Sequence, residues 1–385
     1  MDPKLFEYAT KAETKYLKAV EEAGTMRGAS RKLLCAFSTV QDAIERVKRK
    51  AAVAGYAPEH DLTHPVPAPY MVKGTSTLYN EEGKVSAQWV KTKLDDAKVQ
   101  EALQEWVEWL VRDAKGIVKA TPTPKHSNAD LLTAYVMGDP HFGMYAWAAE
   151  SGEDFDADIA EKITKAAIDR LVASSPPSDI GLIVELGDFF HADSSANTTP
   201  RNNNALDVDT RWARVMQIGL RAMKYVIQRT LDKHAKVVVW IEPGNHDPHS
   251  SFALALALSE TFSNEPRVLV DLTPAMHRYL RFGNVLIGST HGDTTPMRTL
   301  PGVMAADKPE DWGQTRYRYW YCGHIHHTES KEFPGVSVEY FRTLAPLDAW
   351  SASKGFRSGR DMAAIVHHRE YGEIERHRCD VAMLT

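Results

Sequence analysis

Five short apolar runs in this 385-residue chain stop in the same way. "AYVM" runs into Gly138-Asp139-Pro140-His141, "IVEL" into Gly187-Asp188-Phe189-Phe190-His191, and "VVVWIEP" into Gly244-Asn245-His246-Asp247. "VLIGST" ends at His291-Gly292-Asp293, and "YWYC" at Gly323-His324-Ile325-His326. Each run has the length and apolar content of a buried strand, and each ends in a glycine or polar turn that carries His, Asp or Asn. In open α/β sheets, ligands bind at the carboxyl ends of the strands. The five runs therefore predict one site assembled from five loops. A single Asp-x-His or one histidine after a strand would be ordinary; the ordered set is not.

The surrounding sequence fits that fold class. Amphipathic stretches around Ala157–Ala173 and Asp209–His234 lie between the first three runs, as α/β layering requires. "VSVEYFRTL" and "DMAAIVHH" add strands with no long helix between them, so the expected fold is α/β, with central mixed β-sheets flanked by helices. The Pro-, Thr- and Ser-rich stretch "GIVKATPTPKHSNAD" reads as a linker. It divides the chain into a small helical domain (1–55), a hairpin, amphipathic helix and linker (56–126), and the site-bearing domain (127–385). The hydrophobic and charged fractions, 43% and 25%, are those of a globular protein. No apolar run approaches the roughly 20 residues a membrane span needs, and the first residues carry no signal-type apolar core. Three scattered cysteines, Cys35, Cys322 and Cys379, suit a reducing compartment. A cytoplasmic chain without disulfides is expected. Residues 1–126 carry 20 Lys+Arg against 17 Asp+Glu and the remainder 26 against 34, so cationic surface is concentrated near the N-terminus.

The five segments "GDPHFG", "LGDFFH", "PGNHD", "THGD" and "GHIHH" resemble, in order, the D-x-H, G-D, G-N-H-D/E, H-G and G-H-x-H motifs of the calcineurin-like metallophosphoesterases, over roughly residues 130–350. Carboxylate, imidazole and amide oxygen together suit Mn, Fe or Zn. The resemblance implies two divalent ions, with Mn²⁺ expected and Fe, Zn or Mg as alternatives. One ion would take Asp139, His141 and His326, the other Asn245, His291 and His324, and Asp188 would bridge them. The nucleophile implied is a hydroxide held between the ions. It further implies that His246 contacts the phosphate and protonates the leaving oxygen, and that Asp247 orients His246. Asp293 is a candidate to hold His291. In "CGHIHH", His324 and His326 stand two apart on an extended segment and face one site, with Ile325 packed behind. His327 points away, and Cys322 is a buried strand residue.

The second motif narrows the class. "GDFFHADSSANTTP" lacks the arginine of the phosphoprotein phosphatases and the tyrosine of the purple acid phosphatases. It resembles the G-D-L-F-H segment of DNA repair exonucleases, which implies a catalytic role for His191. Including its N-terminal half, the chain resembles phage-encoded phosphoesterases related to these exonucleases, which would place it in a host cytoplasm. Arg201, Arg211 and Arg214, in or just after the next loop, are candidate phosphate contacts. Repair nucleases of this type work with a coiled-coil ATPase, but no capping domain or ATPase-binding tail is evident after Asp348. A homo-oligomer is left open.

Residues 10–52 read as three helices, broken at Gly24-Thr25, with Ser38 or Thr39 as the cap of the third. Val40, Ile44 and Val47 give that helix one buried stripe. The layout resembles a helix-turn-helix, although Leu34 stands at the turn where a glycine is usual. Seven basic residues, Arg27, Arg31, Lys32, Arg46, Lys48, Arg49 and Lys50, support DNA contact, against Asp42 and Glu45. "YMVKGTSTLYNEEGKVSAQWVKTK" reads as a hairpin turning at Asn80–Gly83. Leu103, Trp106, Val107 and Leu110 stripe one face of the helix that follows. The combined expectation is a metal-dependent DNA nuclease. The alternatives are a phosphodiesterase for nucleotides or other small phosphoesters, and a DNA-binding regulator with an inactive phosphoesterase domain.

Overall fold

The computed structural model describes residues 2–58, 62, 66, 70–80, 85–94 and 116–384. The chain divides into two compact units, Met1–Trp106 and Val107–Thr385.

In the first unit, α1 (Lys11–Ala23) starts at a capping box in which Thr10 and Glu13 satisfy each other's backbone. It stops at Gly24, whose φ of 70° closes the last turn. Thr25 caps α2 (Met26–Lys32) through the Gly28 amide. The third helix, α3 (Phe37–Val53), begins at Ala36 with no side-chain cap, so the capping role expected of Ser38 or Thr39 is not found; both lie inside the first turn. The Val40, Ile44 and Val47 stripe is buried against Leu17 and Ala29. Leu34, between α2 and α3, adopts φ 51° and is 94% exposed. It takes up the left-handed conformation without the residue that suits it. Strands β1 (Tyr70–Tyr79) and β2 (Val85–Leu94) form the expected antiparallel hairpin, with residues 80–84 between them. The stripe Leu103, Trp106, Val107 and Leu110 lies outside the described residues.

The stretch expected as a linker is in part docked on the second unit. The amides of Gly116 and Val118 donate to the carbonyls of Glu260 and Thr261, and the Thr121 amide and hydroxyl both bind the Glu265 carboxylate. These bonds satisfy backbone groups that a free linker would leave to water.

The second unit is a four-layer α/β sandwich. Its six-stranded sheet has the order β13-β12-β3-β4-β5-β6. Here β3 (Asn128–Met137), β4 (Ser178–Glu185), β5 (Lys236–Ile241) and β6 (Val268–Val270) run parallel, and β12 (Asp361–His368) and β13 (Gly372–Asp380) close the edge antiparallel. The five-stranded sheet is ordered β10-β11-β9-β8-β7, with β8 (Val285–Thr290), β9 (Tyr317–Cys322) and β11 (Val336–Tyr340) parallel. Strands β7 (Arg278–Phe282) and β10 (Glu329–Phe333) flank them antiparallel. Leu132, Ala134 and Val136 of β3 point to one side and meet Val285, Ile287 and Tyr321 across the interface between the sheets. The alternate residues Thr133, Tyr135 and Met137 are equally buried on the other side, under helices. A strand covered on both faces reads as a continuous apolar run, which is why these strands stand out in the sequence.

Helices α4 (Ala157–Ser174), α5 (Trp212–Leu231) and α6 (Ser250–Thr261) cover the outer face of the six-stranded sheet. Leu300 and Met304, on α7 (Leu300–Asp307), cover Trp320 and Val338 of the other. Helix α6, "SSFALALALSET", is apolar nearly all round, so no periodicity announces it. No helix among the described residues is long and apolar enough to cross a membrane.

Between β3 and the helices, His234 lies buried with Nδ1 accepting from the Ser178 amide at 3.2 Å and Nε2 2.7 Å from the Tyr135 hydroxyl. Burial pulls its pKa from 6.5 down to about 4. Between those values the unfolded chain binds a proton that the folded chain refuses, so this residue withdraws stability as pH falls from 6.5 towards 4. His234→Gln should reduce the slope of unfolding free energy against pH in that window by up to about 1.4 kcal/mol per pH unit. Denaturant melts at several pH values measure it, and an unchanged slope would contradict the assignment.

Candidate metal centre

The loops that leave β3, β4, β5, β8 and β9 keep bonding to one another after the strands have ended. The Leu186 amide donates to Met137 O at 2.9 Å, the His141 amide to Asp188 O at 3.1 Å, and the Gly323 amide to His291 O at 2.8 Å. This ladder brings all seven expected ligands together. The ligating atoms of Asp139, His141 and His326 lie within 4.8 Å of one another, as do those of Asp188, His291 and His324. The Asn245 Oδ1 is 3.0 Å from His291 Nε2, which joins it to the second group. A third group, His141, His191 and His246, abuts the first through His141.

The backbone is bent to achieve this. Eight non-glycine residues among those described have φ in the left-handed region, and five of them are Asp139, His141, Asp188, His324 and His326. Each costs about 1 kcal/mol or more, and such conformations concentrate where function demands them. They also correct one expectation. His324 and His326 face the site from a loop beyond β9 with φ 70° and 56°, so their shared direction comes from left-handed turns and not from strand alternation. His327 is exposed, its Nδ1 2.7 Å from Ile325 O, and belongs to none of the groups. Two glycines are required by space. A Cβ on Gly244 would lie 2.1 Å from both N and Oδ1 of Asp188, and one on Gly187, itself at φ 93°, would lie 2.7 Å from His291 Nδ1.

The donors are arranged for a cation. The Leu186 carbonyl, which can only accept, lies 2.8 Å from His291 Nδ1 and fixes the ring hydrogen there. Nε2 is then a lone pair aimed at Asn245 Oδ1 at 3.0 Å and Asp188 Oδ2 at 3.4 Å, three electron-rich atoms that repel unless a proton or metal ion lies among them. Burial would lower the pKa of His291, but the charge and hydrogen bond of Asp188 overcome it and raise the pKa well above the usual imidazole value. The Asp188 carboxyl, which burial would raise, is in turn held well below the carboxylate range by His291. On the other side, Nε2 of His141 and of His326 face each other at 3.1 Å. His141 is pushed well below its usual value by burial and by its histidine neighbours. The carboxylate of Asp139, fully buried, accepts from the His324 amide at 2.9 and 3.0 Å and lies 3.6 Å from His326 Nε2. This all-nitrogen-and-oxygen donor set fits Mn²⁺, Fe or Zn²⁺.

Two expected roles change. Asp247 is fully buried, but it accepts from the amides of Phe190 at 2.9 Å and Gly244 at 3.1 Å and so clamps two loops together. The His246 ring is instead fixed by the His191 carbonyl, 2.8 Å from Nδ1. Asp293 does not hold His291, whose Nδ1 is taken by Leu186 O. His191 is 2% exposed, stacked on His246 with ring centroids 5.2 Å apart, and its Nδ1 is 3.3 Å from His141 Nδ1. Burial and the neighbouring His246 lower its pKa to about 3, so it is neutral at physiological pH. The sequence reading missed Thr343, whose hydroxyl donates to Asp139 O at 2.6 Å, and Glu185, fully buried three residues before Asp188. A carboxylate ending an apolar run is a signal that could have flagged Glu185; nothing marks Thr343. Of the candidate phosphate contacts, Arg214 pairs with Asp158 at 3.2 Å, and Arg201 and Arg211 are exposed.

No family model and no curated protein matches the chain. Solved structures do. An archaeal phosphodiesterase aligns at 11% identity over 64% of this chain and 99% of its own, with a TM-score of 0.32. An uncharacterised protein of Streptococcus pneumoniae TIGR4, described as a predicted phosphoesterase, aligns at 11% over 66% and 99%, TM-score 0.26. Vps29 from Entamoeba histolytica, in complex with zinc, aligns at 12% over 65% and 99%, TM-score 0.27. Likeness at this level carries no argument about activity, which rests on the residues themselves.

Gly244→Ala should force the β5 loop off Asp188. Isothermal titration with Mn²⁺ is expected to show affinity at least about tenfold weaker than wild type. Unaltered affinity would mean that this close approach does not shape the centre.

Proposed function

We propose that the chain is a calcineurin-like metallophosphoesterase that hydrolyses phosphodiester bonds of DNA with two divalent ions. The observation that carries the reading is the pair of candidate ligand groups, Asp139, His141 and His326 in one and Asp188, His291 and His324 in the other, with His246 in a third group that shares His141. Asp139, His141 and His326 would hold one ion, Asn245, His291 and His324 the other, and Asp188 both. Ions bound there supply Lewis-acid charge to phosphoryl oxygens and lower the pKa of water.

The remaining chemistry belongs to side chains. Because the His191 carbonyl takes the Nδ1 hydrogen of His246, Nε2 is left to carry a proton to or from the substrate. The His246 amide donates to Asp188 Oδ1 at 2.8 Å, so the acid–base group and the shared carboxylate are in fixed register. His191, buried beneath His246, acts as a positioning residue: it holds the ring by stacking and by its carbonyl. The choice of DNA over small diesters rests on the G-D-F-F-H segment and on the three-helix array, whose Arg27, Arg31, Lys32, Arg46 and Arg49 are proposed phosphate contacts. Lys32 also pairs with Glu22, and Arg46 lies 3.6 Å from Glu13, so these two exchange partners on binding.

The test is incubation with Mn²⁺ and labelled single- and double-stranded DNA, beside bis-p-nitrophenyl phosphate and cyclic nucleotides. Cleavage of DNA is expected. Hydrolysis of the small diesters with every DNA left intact would overturn the nuclease reading, and no hydrolysis of any kind would favour the regulator. His246→Ala should lower kcat by about 10²–10⁴ while metal content, read by atomic emission, stays at the wild-type level. A variant with full activity would contradict the role given to Nε2.

A further inference from the structure

We propose that the β1–β2 hairpin of the first unit is a contact for single-stranded nucleic acid, with Trp89 as a base-stacking platform and Lys73 and Lys91 as phosphate partners. The proposal builds on the nucleic-acid reading above and uses no residue of the metal centre or of the three helices.

A two-stranded ribbon has no core of its own, and side chains left bare on it are available to a partner. Trp89 is 59% exposed, Leu78 56% and Tyr79 54%. Exposed aromatic and aliphatic groups gathered on one small element mark an interaction surface. Charge decides its partner. The two strands contain Lys73, Lys91 and Lys93 and no Asp or Glu; the nearest acidic residues in sequence, Glu81, Glu82, Asp95 and Asp96, fall between the strands and after the second. Interfaces between proteins are depleted in lysine, whereas lysines interleaved with aromatics match a phosphate backbone and its bases. Exposed Thr75, Ser76, Ser86 and Thr92 add hydroxyl donors for phosphate oxygens.

The register shapes the face. Cross-strand pairs share a face, and every second pair lies on the same one. Leu78↔Ala87, Ser76↔Trp89 and Gly74↔Lys91 therefore stand together. Opposite each large side chain is a small one, so no bulky neighbour across the ladder covers the indole, and a base has room against it. Lys73 sits at the register shift between Val72 and Gly74, exposed at the edge. A ring that offers its flat face requires an unpaired base, because a duplex keeps its base faces stacked. That selects a single strand.

The experiment is fluorescence anisotropy of labelled oligo(dT) with the full chain, Mn²⁺ present, in the His246→Ala background so that the probe survives. Adding Trp89→Ala should weaken binding roughly 5- to 100-fold, Trp89→Phe should restore most of it, and thermal melting should confirm that each variant is folded. Adding Lys73→Ala or Lys91→Ala should each lower the slope of log affinity against log salt by about 0.7. Affinity of Trp89→Ala within twofold of its parent would overturn the proposal. So would equal losses on blunt duplex, or a change from oligomer to monomer with oligo(dT) affinity intact, which would assign the ribbon to a second copy of the chain. The two readings fail separately. A protein without the His246 substitution that cleaves DNA, while Trp89→Ala leaves oligo(dT) affinity within twofold of its parent, overturns this inference alone. Trp89-dependent binding with no hydrolysis of any diester overturns the phosphoesterase instead.

Discussion

Asp188 is one carboxylate shared among three loops. It stands at φ 53° after β4, its Oδ1 accepts the His246 amide at 2.8 Å, and its Oδ2 lies 3.4 Å from His291 Nε2. The loops after β4, β5 and β8, which come from both sheets of the sandwich, are thereby tied at one point. A buried carboxylate costs several kcal/mol unless charge or hydrogen bonds answer it. Here the answer comes from the His246 amide and from His291, whose pKa Asp188 raises well above the usual imidazole value and whose Nδ1 is held by Leu186 O. The absence of a Cβ at Gly244 is what lets the β5 loop come close enough. Removing any one of these conditions loosens the others, because they all act on the same two oxygens.

The two sheets explain why five strand ends can meet. Leu132, Val136, Val285 and Ile287 pack the sheets face to face, so the carboxyl ends of β3, β4 and β5 stand opposite those of β8 and β9. That arrangement was legible in the sequence wherever burial on both faces removed polar alternation. Strands β7, β10 and β13 were not singled out, because exposed residues interrupt them, and α6 was not, because it is apolar on nearly every side. The candidate ligand residues could be picked out from their order along the chain. Their hydrogen-bonded supports could not. The His191 carbonyl holds His246 and the Leu186 carbonyl holds His291, and a backbone oxygen leaves no trace in residue type. The resemblance assigned Asp247 to the His246 ring, yet its burial is answered by amides of two loops.

The first unit shows the same limit from another side. Counting basic residues between Thr25 and Lys50 suggests a free cationic face, but Glu13 draws in both Arg46 and Lys50, and Glu22 draws in Lys32. Glu13 earns its place twice, since it also completes the capping box of α1. The periodicity of Val40, Ile44 and Val47 located the core of this unit correctly. What periodicity could not reveal is the exposure of Trp89, Leu78 and Tyr79 on the hairpin, because a strand's own pattern does not say what covers it.

The proposed metal centre requires two ions that share Asp188. Crystals grown with Mn²⁺ and recorded at the manganese absorption edge would test it most directly. Two anomalous peaks are predicted, one within ligand reach of Asp139, His141 and His326, the other of Asn245, His291 and His324, with Asp188 touching both. A single peak, or peaks away from these side chains, would contradict it.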